Sequence, residues 1–200
     1  MLCVSNGPEF SAVKRSKTSL SRFGSQSDVS TTVFAAPTRK AIAALIGQDV
    51  RRCADRGFDA VEIDNLDSFT RAPRGRLSLD DNMALAVLYA RQAHDLGLLI
   101  AQKNAAEYSG RLRREVGFDF AVAEECVSYS ECRAYTDVYG DAVIDVEYSD
   151  DPRVSLPQIC ADPARPASTV LRDRDLVPSG EQGYVYRRCG SSPRASARIP

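Results

Sequence analysis

The stretch Gly57-Phe58-Asp59-Ala60-Val61-Glu62-Ile63-Asp64-Asn65 decides the fold. In an extended strand, successive side chains point to opposite faces. Ala60, Glu62 and Asp64 therefore share one face, and Val61 and Ile63 share the other. The apolar face can pack on helices while the acidic face lines a site. The pattern nearly recurs downstream: Phe118 to Glu125 ends in two glutamates, and Ala142 to Tyr148 carries Asp145 and Glu147. Strands with acids near their C-terminal ends fit an α/β barrel with a carboxylate-lined mouth, because such barrels place their chemistry there.

The flanking segments alternate with these strands. Thr38 to Arg56 reads as a helix, with Ile42, Leu45, Ile46, Val50 and Cys53 at helical spacing and Gly57 at its stop. Residues 66–77 form a loop. Ser78 to Leu96 is the clearest helix. Ser78 can cap it, Asp80 and Asp81 suit its positive end, Met83, Val87, Ala90 and His94 mark one face, and Gly97 ends it. Leu98 to Gln102 reads as a buried strand with Lys103 and Asn104 at its tip. Short helices around Glu107–Glu115 and Ser130–Tyr139 lead into the next two strands. Residues 151–166 leave room for a short helix, and Ser168 to Arg172 for a last strand. Thr31 to Ala35 could form another.

Strand and helix in alternation favour parallel strands joined by right-handed crossovers. The predicted class is α/β, a TIM-barrel-like (β/α)8 fold that is incomplete. About five strands follow from Phe58 onward, against eight strands and about 250 residues for a closed barrel. The shortage falls at the N-terminus. Residues 1–30, rich in Ser and Lys/Arg with little periodicity, are read as poorly ordered. The barrel-like domain spans 31–189, and 190–200 form a disordered tail.

A formal net charge of -1 gives no electrostatic footprint for nucleic acid. The 44% hydrophobic content supports a sizeable core. No run approaches the ~20 apolar residues of a membrane span, and no signal-peptide pattern is read at the N-terminus. The cysteines are Cys3, Cys53, Cys126, Cys132, Cys160 and Cys189. No Cys-x-x-Cys occurs and His94 is the only histidine, which argues against zinc and for disulfides in an exported protein, with buried free thiols as the alternative. Cys126 and Cys132 are close enough to bridge across a loop, but spacing leaves the pairing open. His94, mid-helix, is expected to pack rather than ligate.

The strand ends hold Glu62, Asp64, Asn65 and Asp67, then Lys103 and Asn104, then Glu124 and Glu125, then Asp145 and Glu147. Paired carboxylates without metal-binding histidines suit glycoside hydrolysis, where one acid protonates the leaving oxygen and the other attacks or activates water. A low-affinity carboxylate metal site competes with that reading. Plainer roles stand beside it. Asp64 and Asn65 could cap a turn, and Glu124 and Glu125 could be a solvated pair. Lys103 could be a counterion that keeps nearby acids ionised. Glu147 could be an interior acid paired with Lys103.

Taken together, the runs Gly57–Thr70, Gln102–Asn104, Phe118–Cys126, Tyr129–Cys132, Val143–Tyr148 and Tyr184–Tyr186 before Cys189 resemble glycoside hydrolase family 114, the endo-α-1,4-polygalactosaminidases. The resemblance covers residues 38–189. It implies a secreted (β/α)8 enzyme that acts without cofactor or metal on α-1,4-linked galactosamine or N-acetylgalactosamine polymers. The implied reaction is endo-hydrolysis with retention, by a monomer, with the polysaccharide as partner and neither nucleic acid nor membrane. It maps the family's catalytic Asp onto Asp64, as nucleophile, and its catalytic Glu onto Glu124, as acid/base; the roles can be exchanged. Asn65, Asp67, Lys103, Asn104, Glu125 and Glu147 are implied as sugar contacts or supports for the acids. Retention would need the two carboxyl groups roughly 5–5.5 Å apart.

This chain departs from the family at several points. Ala123 stands where many members have Asn, and Glu125 replaces a common Gln. The charge of Glu125 is expected to raise the pKa of Glu124. The family's first strands, with their aromatic residues and an acid after the third, have no clear match. Thr31 to Ala35 stands in for the third strand, with Ala35 or Ala36 near the expected acid. The rival expectation is an inactive remnant or a glycan-binding module, since missing strands leave open sheet edges.

Overall fold

The computed structural model describes residues 1–5, 36–73, 76–151 and 153–190. The strand expected at 31–35 and the tail from 191 lie outside them. The chain divides into two compact units: Met1–Ala105 with Arg111–Asp119, and Ala106–Gly110 with Phe120–Pro200.

In the first unit, α1 (Ala36–Asp55) leads to β2 (Ala60–Ile63), and α2 (Leu79–Asp95) leads to β3 (Leu99–Lys103). Both helices stop in the same way. At the first stop, Gly57 adopts φ 74, its N–H donates to Ala54 O at 2.9 Å and Phe58 N–H donates to Cys53 O at 3.2 Å. At the second, Gly97 adopts φ 73, and Gly97 and Leu98 N–H groups donate to His94 O and Ala93 O, each at 2.9 Å. These are Schellman closures, which need a left-handed residue that glycine supplies without a Cβ clash. Each turns the chain straight into a buried strand. At its other end α2 carries a capping box: Ser78 Oγ accepts from Asp81 N–H and Asp81 Oδ2 accepts from Ser78 N–H, both at 3.1 Å.

β2 and β3 are parallel, with Val61 opposite Ile100 and Glu62 opposite Ala101. The other edge of β2 carries β1 (Leu2–Val4), which runs antiparallel with Cys3 opposite Val61. This strand lies in a segment whose composition predicts little order. The Cys3–Cys53 disulfide ties it to the last turn of α1.

Two helix faces differ from expectation. In α1 the buried residues are Ala43, Asp49, Val50 and Cys53, while Leu45 is exposed. The inward stripe thus follows Ala43, Val50 and Cys53, and Leu45 falls off it. In α2 the buried stripe is Met83, Ala86, Tyr89, Ala90 and Ala93. His94 is exposed rather than packed, and its Nε2 lies 2.9 Å from Asp119 Oδ2, which also accepts from Ile100 N–H at 2.8 Å.

In the second unit, β4 (Phe120–Glu124), β5 (Val143–Tyr148) and β6 (Ser168–Arg172) are parallel neighbours in that order. Helix α3 (Cys132–Tyr139) links β4 to β5, and α4 (Leu156–Ala161) links β5 to β6. A final strand, β7 (Tyr186–Arg188), pairs antiparallel with β6. Its first residue, Tyr186, ends the run Tyr184–Tyr186 read as a closing motif and not as a strand. Cys126–Cys132 bridges the turn after β4, as expected, and Cys160–Cys189 ties α4 to the residue after β7.

The architecture is therefore mixed α/β with mostly parallel strands, as predicted. Among the described residues it holds fewer strand–helix units than a full (β/α)8 barrel. No helix among them is long and apolar enough to cross a membrane.

The disulfides contribute unequally by loop length. The partners are 50, 29 and 6 residues apart for Cys3–Cys53, Cys160–Cys189 and Cys126–Cys132. Loop-closure entropy then assigns them about 4, 3.5 and 2 kcal/mol. Urea unfolding of the paired Cys→Ser variants should rank them in that order; the largest loss from the Cys126–Cys132 pair would refute the loop-entropy account.

Candidate active site

Left-handed backbone recurs where the strands end, and is found also at Ser130 (φ 59) and Leu176 (φ 52). Among the described residues, the non-glycine positions at positive φ include Asn65 (φ 62) after β2, Asn104 (φ 51) and Ala105 (φ 61) after β3, and Glu125 (φ 62) after β4. Left-handed backbone is unfavourable for a residue with a side chain and persists only where the surroundings over-determine it.

In the first unit the restraining bonds are specific. Gln102 Nε2 donates to Asn104 O at 2.7 Å and Ala105 O at 3.2 Å, holding the reversal after β3 from within the strand. After β2, Asn82 of α2 donates to Leu66 O at 2.7 Å and Ser68 Oγ at 2.9 Å. Arg71 bridges two expected site residues, with Nη1 donating to Asp67 Oδ2 and Nη2 to Asn65 Oδ1, each at 2.9 Å.

Asp64 is exposed, and its Oδ1 accepts from Asn65 N–H at 2.9 Å. The buried Lys103 places Nζ 4.0 Å from the same oxygen. The β2–β3 register explains the pairing, because Glu62 opposite Ala101 and Ile63 opposite Gln102 carry Asp64 alongside Lys103. Glu62 is buried one pair earlier on the same strand face.

In the second unit the acids divide between two faces. Ala123 lies opposite Asp145 and Glu124 opposite Val146, so Glu124 shares a face with Val146 and Tyr148, whereas Asp145 and Glu147 point the other way. Tyr148 Oη donates to Glu124 Oε1 at 2.6 Å. Burial and then the bond to Glu124 push the Tyr148 phenol well above its ordinary range, so it remains a donor.

Asp145 and Glu147 are fully buried and are met by the turn after β4. Cys126 N–H donates to Asp145 Oδ1 at 3.2 Å, Val127 N–H to Glu147 Oε1 at 2.8 Å, and Ser128 Oγ to Glu147 Oε2 at 2.6 Å. The Cys126 and Cys132 sulfurs approach Asp145 but are joined as a disulfide, so they offer no thiolate to a metal.

Glu125 is buried and doubly paired. Its Oε1 lies 2.9 Å from Arg174 Nη2 and 3.4 Å from Arg153 Nη2. Each arginine also stacks on a tyrosine, Arg153 on Tyr129 at 3.9 Å and Arg174 on Tyr148 at 4.2 Å. Two guanidinium groups thus face the Glu125 charge.

Of the expected site residues, the structure joins Asp64 to Lys103 and Asn65 to Asp67. It joins Glu125 to arginines and Glu147 to backbone, with Asn104 held through its own carbonyl. Sequence reading missed Tyr148, Ser128, Arg153 and Arg174. The β4–β5 register, which the sequence does not carry, sets Tyr148 on the Glu124 face. Arg174 carries no local signal, being 49 residues from Glu125.

Burial, then the neighbouring Glu147 charge, raise the Asp145 pKa well above the usual carboxylate range, against the Cys126 N–H and Thr169 bonds. The folded chain thus binds a proton at Asp145 that the unfolded chain has lost, and this group's contribution to stability falls as pH rises from the ordinary aspartate range to the raised value. Asp145→Asn should flatten that fall in pH-dependent urea unfolding; an unchanged slope would show Asp145 to be ionised in the fold.

The residues 32–194 match the model of glycoside-hydrolase family GH114. No curated protein matches the chain. Among solved structures, the crystal structure of Aspergillus fumigatus Ega3 in complex with galactosamine superposes with a TM-score of 0.58 at 23% identity, covering 72% of this chain and 60% of that one. The chain thus spans about 60% of the length of the structure it matches, and that likeness is one of fold. With the family match extending over most of its length, the chain belongs to glycoside-hydrolase family GH114.

Proposed function

We propose that the chain hydrolyses α-1,4-linked galactosamine or N-acetylgalactosamine polymers internally, with retention, using Asp64 as nucleophile and Glu124 as acid/base. Family membership supports hydrolysis of a glycoside, and the galactosamine held by Ega3 supports the sugar class. The observation that carries the reading is the strand-end strain: β2, β3 and β4 each deliver Asp64, Lys103 or Glu124 immediately before a left-handed residue. Such strain clusters at active sites, where it fixes side chains that local preference would not.

In this mechanism Glu124 donates a proton to the glycosidic oxygen while Asp64 attacks the anomeric carbon. Glu124 then takes a proton from water, which hydrolyses the glycosyl–enzyme bond. The Lys103 ammonium lies 4.0 Å from the attacking carboxylate. Asn65, Asp67 and Asn104 contact sugar hydroxyls and amines. Glu125 and Glu147 hold the turn that carries Glu124. The reaction invokes no cofactor. Three disulfides suit an oxidising, extracellular setting, where the protein acts as a monomer.

Release of reducing ends from an α-1,4-galactosaminogalactan by the purified chain tests the activity. Asp64→Asn and Glu124→Gln should each lower the rate by about 10²–10⁴-fold. Equal release by Asp64→Asn and the parent would overturn the residue assignment. No release by folded parent protein that still binds the polymer would leave a glycan-binding module.

A further inference from the structure

Glu124 accepts a hydrogen bond from Tyr148, a residue of the neighbouring strand. We propose that Tyr148 is a positioning residue for Glu124, its hydroxyl donating to the carboxylate and stabilising the ionised form that Glu124 reaches once it has given up its proton. The inference rests on Glu124 being the acid/base, as proposed above.

The geometry is explicit. The Oη–Oε1 separation is 2.6 Å, within the range of a charge-assisted O–H···O⁻ bond. The β4–β5 register, with Glu124 opposite Val146, puts Tyr148 one alternation further along the same face. The ring is nearly enclosed, with the residue 9% exposed, and the Arg174 guanidinium lies over it at 4.2 Å. Arg174 is itself fixed, because Nε is 2.9 Å from Asp150 Oδ2 and Nη2 is 2.9 Å from Glu125 Oε1. The hydroxyl therefore has little freedom to leave Glu124.

A hydrogen bond to a carboxylate is stronger than one to the neutral acid, so it makes Glu124 a better proton donor. Among the described residues, the charged groups about the pair within this unit include Glu125, Arg174, Arg153, Asp150 and Asp151. They form ion pairs among themselves. Tyr148→Phe keeps the aromatic face for Arg174 and deletes only the hydroxyl, so the field of those pairs is common to both proteins.

The test is a carboxyl-carbon NMR titration of Glu124 in the full chain with ¹³C-labelled glutamate, its resonance identified by its loss in Glu124→Gln. Tyr148→Phe should weaken Glu124 as an acid roughly tenfold. Replacing Tyr148 by its near-isosteric 3-fluoro analogue, a stronger donor, should move it in the opposite direction. An unchanged or lower Glu124 pKa in Tyr148→Phe, or no movement with the fluoro analogue, overturns the proposal. Should Tyr148→Phe fail to fold, the fluoro analogue decides alone. A structural role for Tyr148 would not move this titration. The catalytic reading fails separately, if Glu124→Gln keeps its hydrolytic rate.

Discussion

Burying Asp145 and Glu147 obliges the chain that follows β4 to bring donors to them, because a polar group removed from water without partners is expensive. Cys126, Val127 and Ser128 answer in succession, two through backbone N–H groups and one through its hydroxyl. For that to happen the chain must reverse direction at once on leaving β4, and it does so at Glu125 in left-handed backbone. The Cys126–Cys132 disulfide and the Glu131 N–H bond to Cys126 O at 2.8 Å close the turn behind it. Glu124, the last residue of the strand, is thereby held on the opposite face, beside Tyr148. One pair of buried acids on β5 accounts for the path of the turn and for where Glu124 emerges.

The first unit reaches a comparable end by other means. Its helices close on glycine, its strands start directly afterwards, and their parallel register sets Asp64 beside Lys103. Here the reversals after the strands are held by side chains of the strands and of α2, through Gln102 and Asn82. In both units the residues that hold the strand ends are distinct from Asp64 and Glu124 themselves.

The strands from Ala60 to Arg172 were legible because an apolar run bounded by turn residues is a strong signal, and α2 because its cap and glycine stop bracket a periodic stretch. The edge strands were not. Leu2–Val4 is only three residues long, and pairing with β2 together with a covalent bond to α1 holds it, rather than its own pattern. Tyr186–Arg188 is equally short and carries two arginines. In the site, the identity of the acids could be read from strand position, but their division between faces could not. That depends on register, which aligns residues about 22 apart in sequence, Glu124 with Val146. The arginine partners of Glu125 were invisible for a similar reason: ion pairs between distant segments leave no local trace.

The bond between Cys3 and Cys53 also changes what a break in the chain would mean. It joins β1 to α1 across everything from residue 4 to residue 52. A protease that cut the backbone anywhere between residues 5 and 36 would leave two polypeptides, not a shorter one. The small piece would stay bound through sulfur and through its ladder on β2. Such a nicked molecule would weigh one water more than the intact protein, would still cover the β2 edge, and would come apart only under a reductant.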